Sequence, residues 1–169
     1  GANALAHNIE VVNDDGVTIY YNYINNNTEL AVTCQGLFYG SYSNEYTGTV
    51  VIPETGTYNG VSYPVTSIGD SAFRDCSSLT SVEIPNSVTS IGNSAFYYCK
   101  GLTSIMIPNS VTSIGESAFS FCYGLTSVEI PNSVTSIGES AFYYCDNLTS
   151  ISGIGTCASI GKDVFSYRS

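Results

Sequence analysis

Residues 79–101 read LTSVEIPNSVTSIGNSAFYYCKG, and the same 23-residue phrase recurs from Leu102, again from Leu125, and starts once more at Leu148. Working outward, the register holds at every landmark. Leu79, Leu102, Leu125 and Leu148 open the units, followed by Val82, Ile105, Val128 and Ile151, and then by the pairs Ile84-Pro85, Ile107-Pro108 and Ile130-Pro131. Ile-Gly pairs begin at Ile68, Ile91, Ile114, Ile137 and Ile160, and Phe73, Phe96, Phe119, Phe142 and Phe165 keep the same step. A unit this short cannot bury its apolar side alone, so neighbouring units must stack.

The recurrence of Leu-x-x-Val-x-Ile at this period marks a leucine-rich repeat solenoid. Within a coil, Leu79 to Ile84 predicts a short parallel strand with Leu79, Val82 and Ile84 inward and Ser81 and Glu83 outward. Pro85 ends it, because proline cannot donate to a ladder. Val88 to Ile91 predicts a second extended piece, Gly92 a turn, and Ser94 to Cys99 a short helical turn with Ala95 and Phe96 tucked inward. The expected fold is β-rich, with short parallel strands plus short helical turns, closed by a small antiparallel β cap at the N-terminus.

The flanks divide the chain. Residues 1–8 read as a flexible leader remnant, since Ala2-Asn3-Ala4 has the small-residue pattern that ends a secretory signal. Residues 9–45 carry β-rich runs separated by Asp15-Gly16 and Asn25-Asn26-Asn27, which are hairpin signals, and read as the cap that a solenoid end requires. Residues 46–169 read as the solenoid: a degenerate first coil with a hairpin insertion at 54–64, turning at Asn59-Gly60, then regular units from 65 and a partial last unit in which Gly153-Ile154 replaces the Ile-Pro pair.

A net charge of -10, with only four basic residues, excludes unassisted nucleic-acid binding, and no apolar run reaches the roughly 18 residues that span a bilayer. Cys76, Cys99, Cys122 and Cys145 share one repeat position. Side chains stacked in one direction lack the approach of Cβ vectors that a disulfide needs, so they read as a ladder of buried thiols; Cys34 and Cys157 also read as core. The spacing holds no zinc ligand pairs, and the single histidine, His7, lies in the expected flexible terminus, leaving no pair for nucleophilic catalysis. The chain reads as non-enzymatic, without metal or cofactor.

Two surface stripes are candidate partner-binding sites. One is the outward strand face, Ser81, Glu83, Ser104, Met106, Ser127 and Glu129. The other is the aromatic corner of Tyr97, Tyr98, Phe121, Tyr123, Tyr143 and Tyr144, tyrosine being favoured at binding hot spots. Tyr58 and Tyr63, on the non-repeated hairpin, form a separate candidate.

The phrase Ile-Pro-Asn-Ser-Val-Thr-Ser-Ile-Gly-x-Ser-Ala-Phe-x-x-Cys-x-x-Leu-Thr-Ser-Val resembles the BspA-type leucine-rich repeat family over about two-thirds of the chain, and Asp15 to Asn22 resembles the segment that precedes such arrays. The resemblance implies an exported bacterial surface protein of adhesive function, meeting host matrix proteins, glycans or microbial cells. It implies no catalytic residues. The alternative is a passive spacer or a fragment of a larger surface protein.

Overall fold

In the computed structural model, residues 7–36, 45–154 and 159–165 are described. Cys157 and most of the expected leader lie outside them. The chain begins with an antiparallel meander, β1 (Ile9–Val12), β2 (Thr18–Ile24) and β3 (Glu29–Thr33). Asn25, Asn26 and Asn27 turn between β2 and β3 with φ of 50°, 57° and 62°, the left-handed region that asparagine tolerates. Next come β4 (Gly48–Val51), β5 (Thr55–Tyr58) and β6 (Val61–Ile68).

From there the coils alternate two kinds of strand. One wall is built from β7 (Leu79–Glu83), β9 (Ser104–Met106), β11 (Ser127–Glu129) and β13 (Ser150–Ser152); the other from β8 (Ser90–Ile91), β10 (Ser113–Ile114), β12 (Ser136–Ile137) and β14 (Ser159–Ile160). Ser113 pairs in parallel with Ser90 and Ser136, and Val128 with Ile105 and Ile151, so the register is the sequence period itself.

The N-terminal meander is not a separate lid. β3 pairs in parallel with β6, and β6 with β8, so the cap and one solenoid wall form a single nine-stranded sheet. Tyr46 fastens the junction on its buried side: its hydroxyl donates to the Thr33 carbonyl at 2.7 Å, accepts from the Tyr20 amide at 3.1 Å, and its ring rests 4.7 Å from Phe73. His7, expected in a flexible terminus, is buried, with its ring 4.8 Å from Tyr20 and Nδ1 3.2 Å from the Gln35 carbonyl oxygen.

The core is a set of columns. Leu79, Leu102 and Leu125 are fully buried, as are Val88, Val111 and Val134. Phe73, Phe96, Phe119 and Phe142 stack with centroids 5.0 to 5.2 Å apart and planes within 3° of parallel. Four thiols run beside them: Cys99, Cys122 and Cys145 each donate to the phenylalanine carbonyl of the preceding coil at 3.0 to 3.1 Å, and with Cys76 they are buried and unbridged.

The expected short helical turn is not formed. Over Ser94–Cys99 the amides alternate: Ser94, Phe96 and Tyr98 donate to Glu116, Ala118 and Ser120 of the next coil, while Ala95, Tyr97 and Cys99 close tight turns on Gly92, Ser94 and Phe96. Ser94 and Tyr98 have φ of 54° and 63°. A helix keeps its bonds inside the segment, and stacking claims half of them for the neighbouring coil. Ala95 and Phe96 still point inward, fully buried.

Gly92 and its counterparts also act differently from the expected turn residue. Their φ values are not left-handed; the glycine is needed because a Cβ at Gly115 would sit 2.6 Å from the Asn93 amide nitrogen and from the Gly92 carbonyl carbon. The approach of backbone to backbone sets the coil spacing. Gly115→Ala is therefore expected to destabilise the protein by about 2 to 3 kcal/mol, as overpacking against rigid atoms does, measured as a lower urea midpoint. An unchanged midpoint would show that the coils can part at no cost.

Candidate functional site

Side chains on the wall of β7, β9, β11 and β13 alternate in and out. Val82, Ile105 and Val128 are buried, while Glu83, Ser104, Met106, Ser127 and Glu129 are exposed and Ser81 is half-buried. Ile107 and Ile130 complete the inward set and Ile84 is only half-buried. Although β7 and β9 are neighbours, they belong to different hydrogen-bonded sheets, β4–β7 and β9–β11–β13. Over that seam lies a groove of about 820 Å³ lined by Ser81, Glu83, Ser104, Met106, Ser127 and Glu129 among others. All six strand-face residues singled out from sequence thus meet in one groove.

Met106 is 83% exposed and pairs in register with Glu129; Glu83 holds the same position one coil earlier. Charge compensation is elsewhere. Arg74 lies 4.2 Å over the Tyr97 ring and forms an ion pair with Asp75 at 3.7 Å, and Lys100 lies 4.5 Å over Tyr98.

Those cations belong to the aromatic corner. Phe121 is its hub, with Tyr97, Tyr98, Tyr123, Tyr143 and Tyr144 all within 5.2 to 6.2 Å of its centroid. Ser120 is buried, and its hydroxyl donates to the Ser140 carbonyl at 2.6 Å, so the column that holds Tyr97 and Tyr143 has no ring at its middle coil. Phe121 contacts both tyrosines across that gap. The rings present edges and faces mainly to one another, and only Tyr144 of the six corner residues named from sequence is exposed, at 42%. Tyr123 shares its repeat position with Lys100, and both lie against Tyr98.

The hairpin at Asn59-Gly60 turns with φ of 50° and 78°, as a type I′ turn requires, and pairs Tyr58 with Val61 and Gly56 with Tyr63. Its root is packed: a Cβ on Gly56 would meet Leu30 at 2.8 Å, and Tyr63 stands edge-on to Tyr23 at 5.2 Å. Tyr58 and Val61 at the tip are exposed. The register puts Tyr58 and Tyr63 diagonally on one face of the hairpin, with Tyr58 exposed at the tip and Tyr63 half-buried at the root.

Other columns serve the stack. Asp70 Oδ1 accepts from the Asn93 amide at 2.8 Å and Asn93 Oδ1 from Glu116 at 2.9 Å, while the hydroxyls of Thr89, Thr112 and Thr135 donate to the threonine carbonyl of the previous coil. Among the described residues there is no group of three or more His, Cys, Asp or Glu side chains arranged to hold a metal, and no helix long and apolar enough to cross a membrane.

No curated protein is significantly similar in sequence to this chain. Solved structures are. A leucine-rich repeat protein from Bacteroides ovatus superposes with a TM-score of 0.65 at 31% identity, covering 87% of this chain and 43% of that one. A leucine-rich cell surface protein from Faecalibacterium prausnitzii gives 0.63 at 26%, covering 94% and 46%, and a leucine-rich repeat protein from Bacteroides capillosus gives 0.62 at 29%, covering 80% and 93%. The chain thus spans less than half the length of the first two. The profile of the BspA type leucine-rich repeat region matches residues 57–169 in six copies, and the chain belongs to that family.

Proposed function

We propose that the protein is an exported, non-enzymatic binding module that presents its strand face to a protein partner at or outside the cell surface. One observation carries this reading: the six outward residues of β7, β9 and β11 line a single groove whose volume is that of a ligand-binding cleft. The aromatic corner is the weaker surface, because its rings are already packed against one another. The likeness to a cell surface protein from Faecalibacterium prausnitzii supports the location, and the host matrix, mucins and other microbial cells are the partners the family resemblance implies. Residues 9–45 serve as the cap and 46–169 as the binding array.

Biolayer interferometry against matrix proteins, mucins and whole bacterial cells tests the reading. Saturable binding to at least one is expected, and it should be lost in a Ser104→Arg, Ser127→Arg double variant, which crowds the groove from two exposed positions without entering the core. Flat responses to every partner, or binding that survives the double variant and is lost in Tyr144→Ser, would overturn it.

A further inference from the structure

We infer that the strand-face groove selects a basic, extended polypeptide segment that carries an aliphatic side chain between its cationic residues. The inference rests on the reading of the strand face as the contact surface and names its partner by chemistry. Along one column of that face stand Glu83, Met106 and Glu129, on successive coils, with Met106 and Glu129 paired in register about 5 Å apart at parallel-strand spacing. The order is carboxylate, thioether, carboxylate.

Met106 is 83% exposed and is the most exposed large apolar side chain among the described residues. It stands where the units on both sides carry glutamate, so one coil of the array departs from its own pattern in the lining of the groove. A flexible, polarizable methionine adapts to aliphatic partners of several shapes. The two carboxylates beside it have no ion-pair partner among the described residues, and Arg74 and Lys100 are held over tyrosine rings at the aromatic corner. Lysine or arginine side chains of a bound segment would supply the missing counter-charge. The overall charge of -10 would draw such a segment in, with an association rate that falls as salt screens the field.

Fluorescence anisotropy with a labelled peptide of sequence GKLKGKLKG tests the assignment on the full chain, with GELEGELEG and GKGKGKGKG as comparison peptides. Binding of the Lys-Leu peptide is expected to weaken roughly tenfold in a Glu83→Gln, Glu129→Gln variant and severalfold in Met106→Ser, with salt sensitivity reduced only in the former. The Gly-for-Leu peptide should bind more weakly, and the glutamate peptide not at all. Glu116→Gln, Glu139→Gln, which removes the same charge from another column, should leave binding close to that of the parent protein. Equal losses from the two double variants would overturn the inference by showing attraction to net charge alone, as would binding of the glutamate peptide or no binding of the Lys-Leu peptide. Failure here beside saturable, strand-face-dependent binding in the interferometry would sink the basic-segment assignment and leave the wider reading standing.

Discussion

Replacing Phe119 by alanine is expected to lower stability by about 3 to 5 kcal/mol and the melting temperature by roughly 6 to 20 °C for a chain of this size. Phe119 is fully buried at the middle of the ring column, 5.1 Å from Phe96 and 5.2 Å from Phe142. Alanine would leave a cavity and remove both stacking contacts at once. The neighbours cannot close over it, because their spacing is set by hydrogen bonds such as Phe96 to Ala118 and Phe119 to Ala141, both 2.7 Å. In an array held together by nearest-neighbour interfaces, a defect between coils weakens the coupling of the two halves, so the transition should also broaden. Phe165→Ala is the internal comparison: that residue is 38% exposed and its one stacking partner lies 6.0 Å away. Calorimetry that showed equal losses at the two positions would contradict the ring column as the axis of stability.

Raising the pH should unfold the protein through its thiols. Burial pushes Cys76 and Cys145 up to about 12 and holds Cys99 and Cys122 well above the ordinary thiol range. In the unfolded chain a thiol ionises near pH 8.5 to 9. Below that value both states keep the proton and the full stability is present. Above it the unfolded state binds fewer protons than the folded state, so stability falls with pH until the folded thiols also ionise, which for Cys76 and Cys145 is near 12. Each thiol contributes up to about 1.4 kcal/mol per pH unit in this window; four together contribute on the order of 5 kcal/mol by pH 10, comparable to the whole stability of a typical domain. Burial of the Tyr46 hydroxyl acts in the same direction at higher pH. Urea titrations between pH 7.5 and 10.5 should show stability dropping steeply above 8.5, and a Cys99→Ala, Cys122→Ala variant should show about half the slope whatever its stability at neutral pH. A parent slope near zero would mean that the thiols are not protected by the stack.

The strand-face part of the site was legible because an outward position in a strand follows from period two, and the repeat places equivalent positions side by side. Ser81, Ser104 and Ser127 could be aligned by counting. The aromatic corner was not legible in the same way: whether Tyr98 or Phe121 faces solvent depends on a left-handed φ, which recurs at Asp75, Tyr98, Phe121 and Tyr144 on residue types that do not announce it, and on the gap left by Ser120, which breaks the period. The helical reading of Ser94–Cys99 failed for a related reason. An apolar pair spaced for one helical turn also fits a stacked turn, and what separates them is the destination of the amide hydrogens, which lies 23 residues away in the next coil.

By itself, then, the sequence determined the solenoid, its period, the inward columns of leucine, valine, phenylalanine and cysteine, and the outward strand residues, because each follows from local spacing repeated in register. Only the tertiary structure decided that the N-terminal meander continues one wall as a single sheet, that His7 is buried, that the Ile-Gly glycines are required by the backbone behind them, and that a seam between β7 and β9 underlies the groove around Met106. Those features depend on how one coil meets another, and the distance between two backbones is not written in either of them alone.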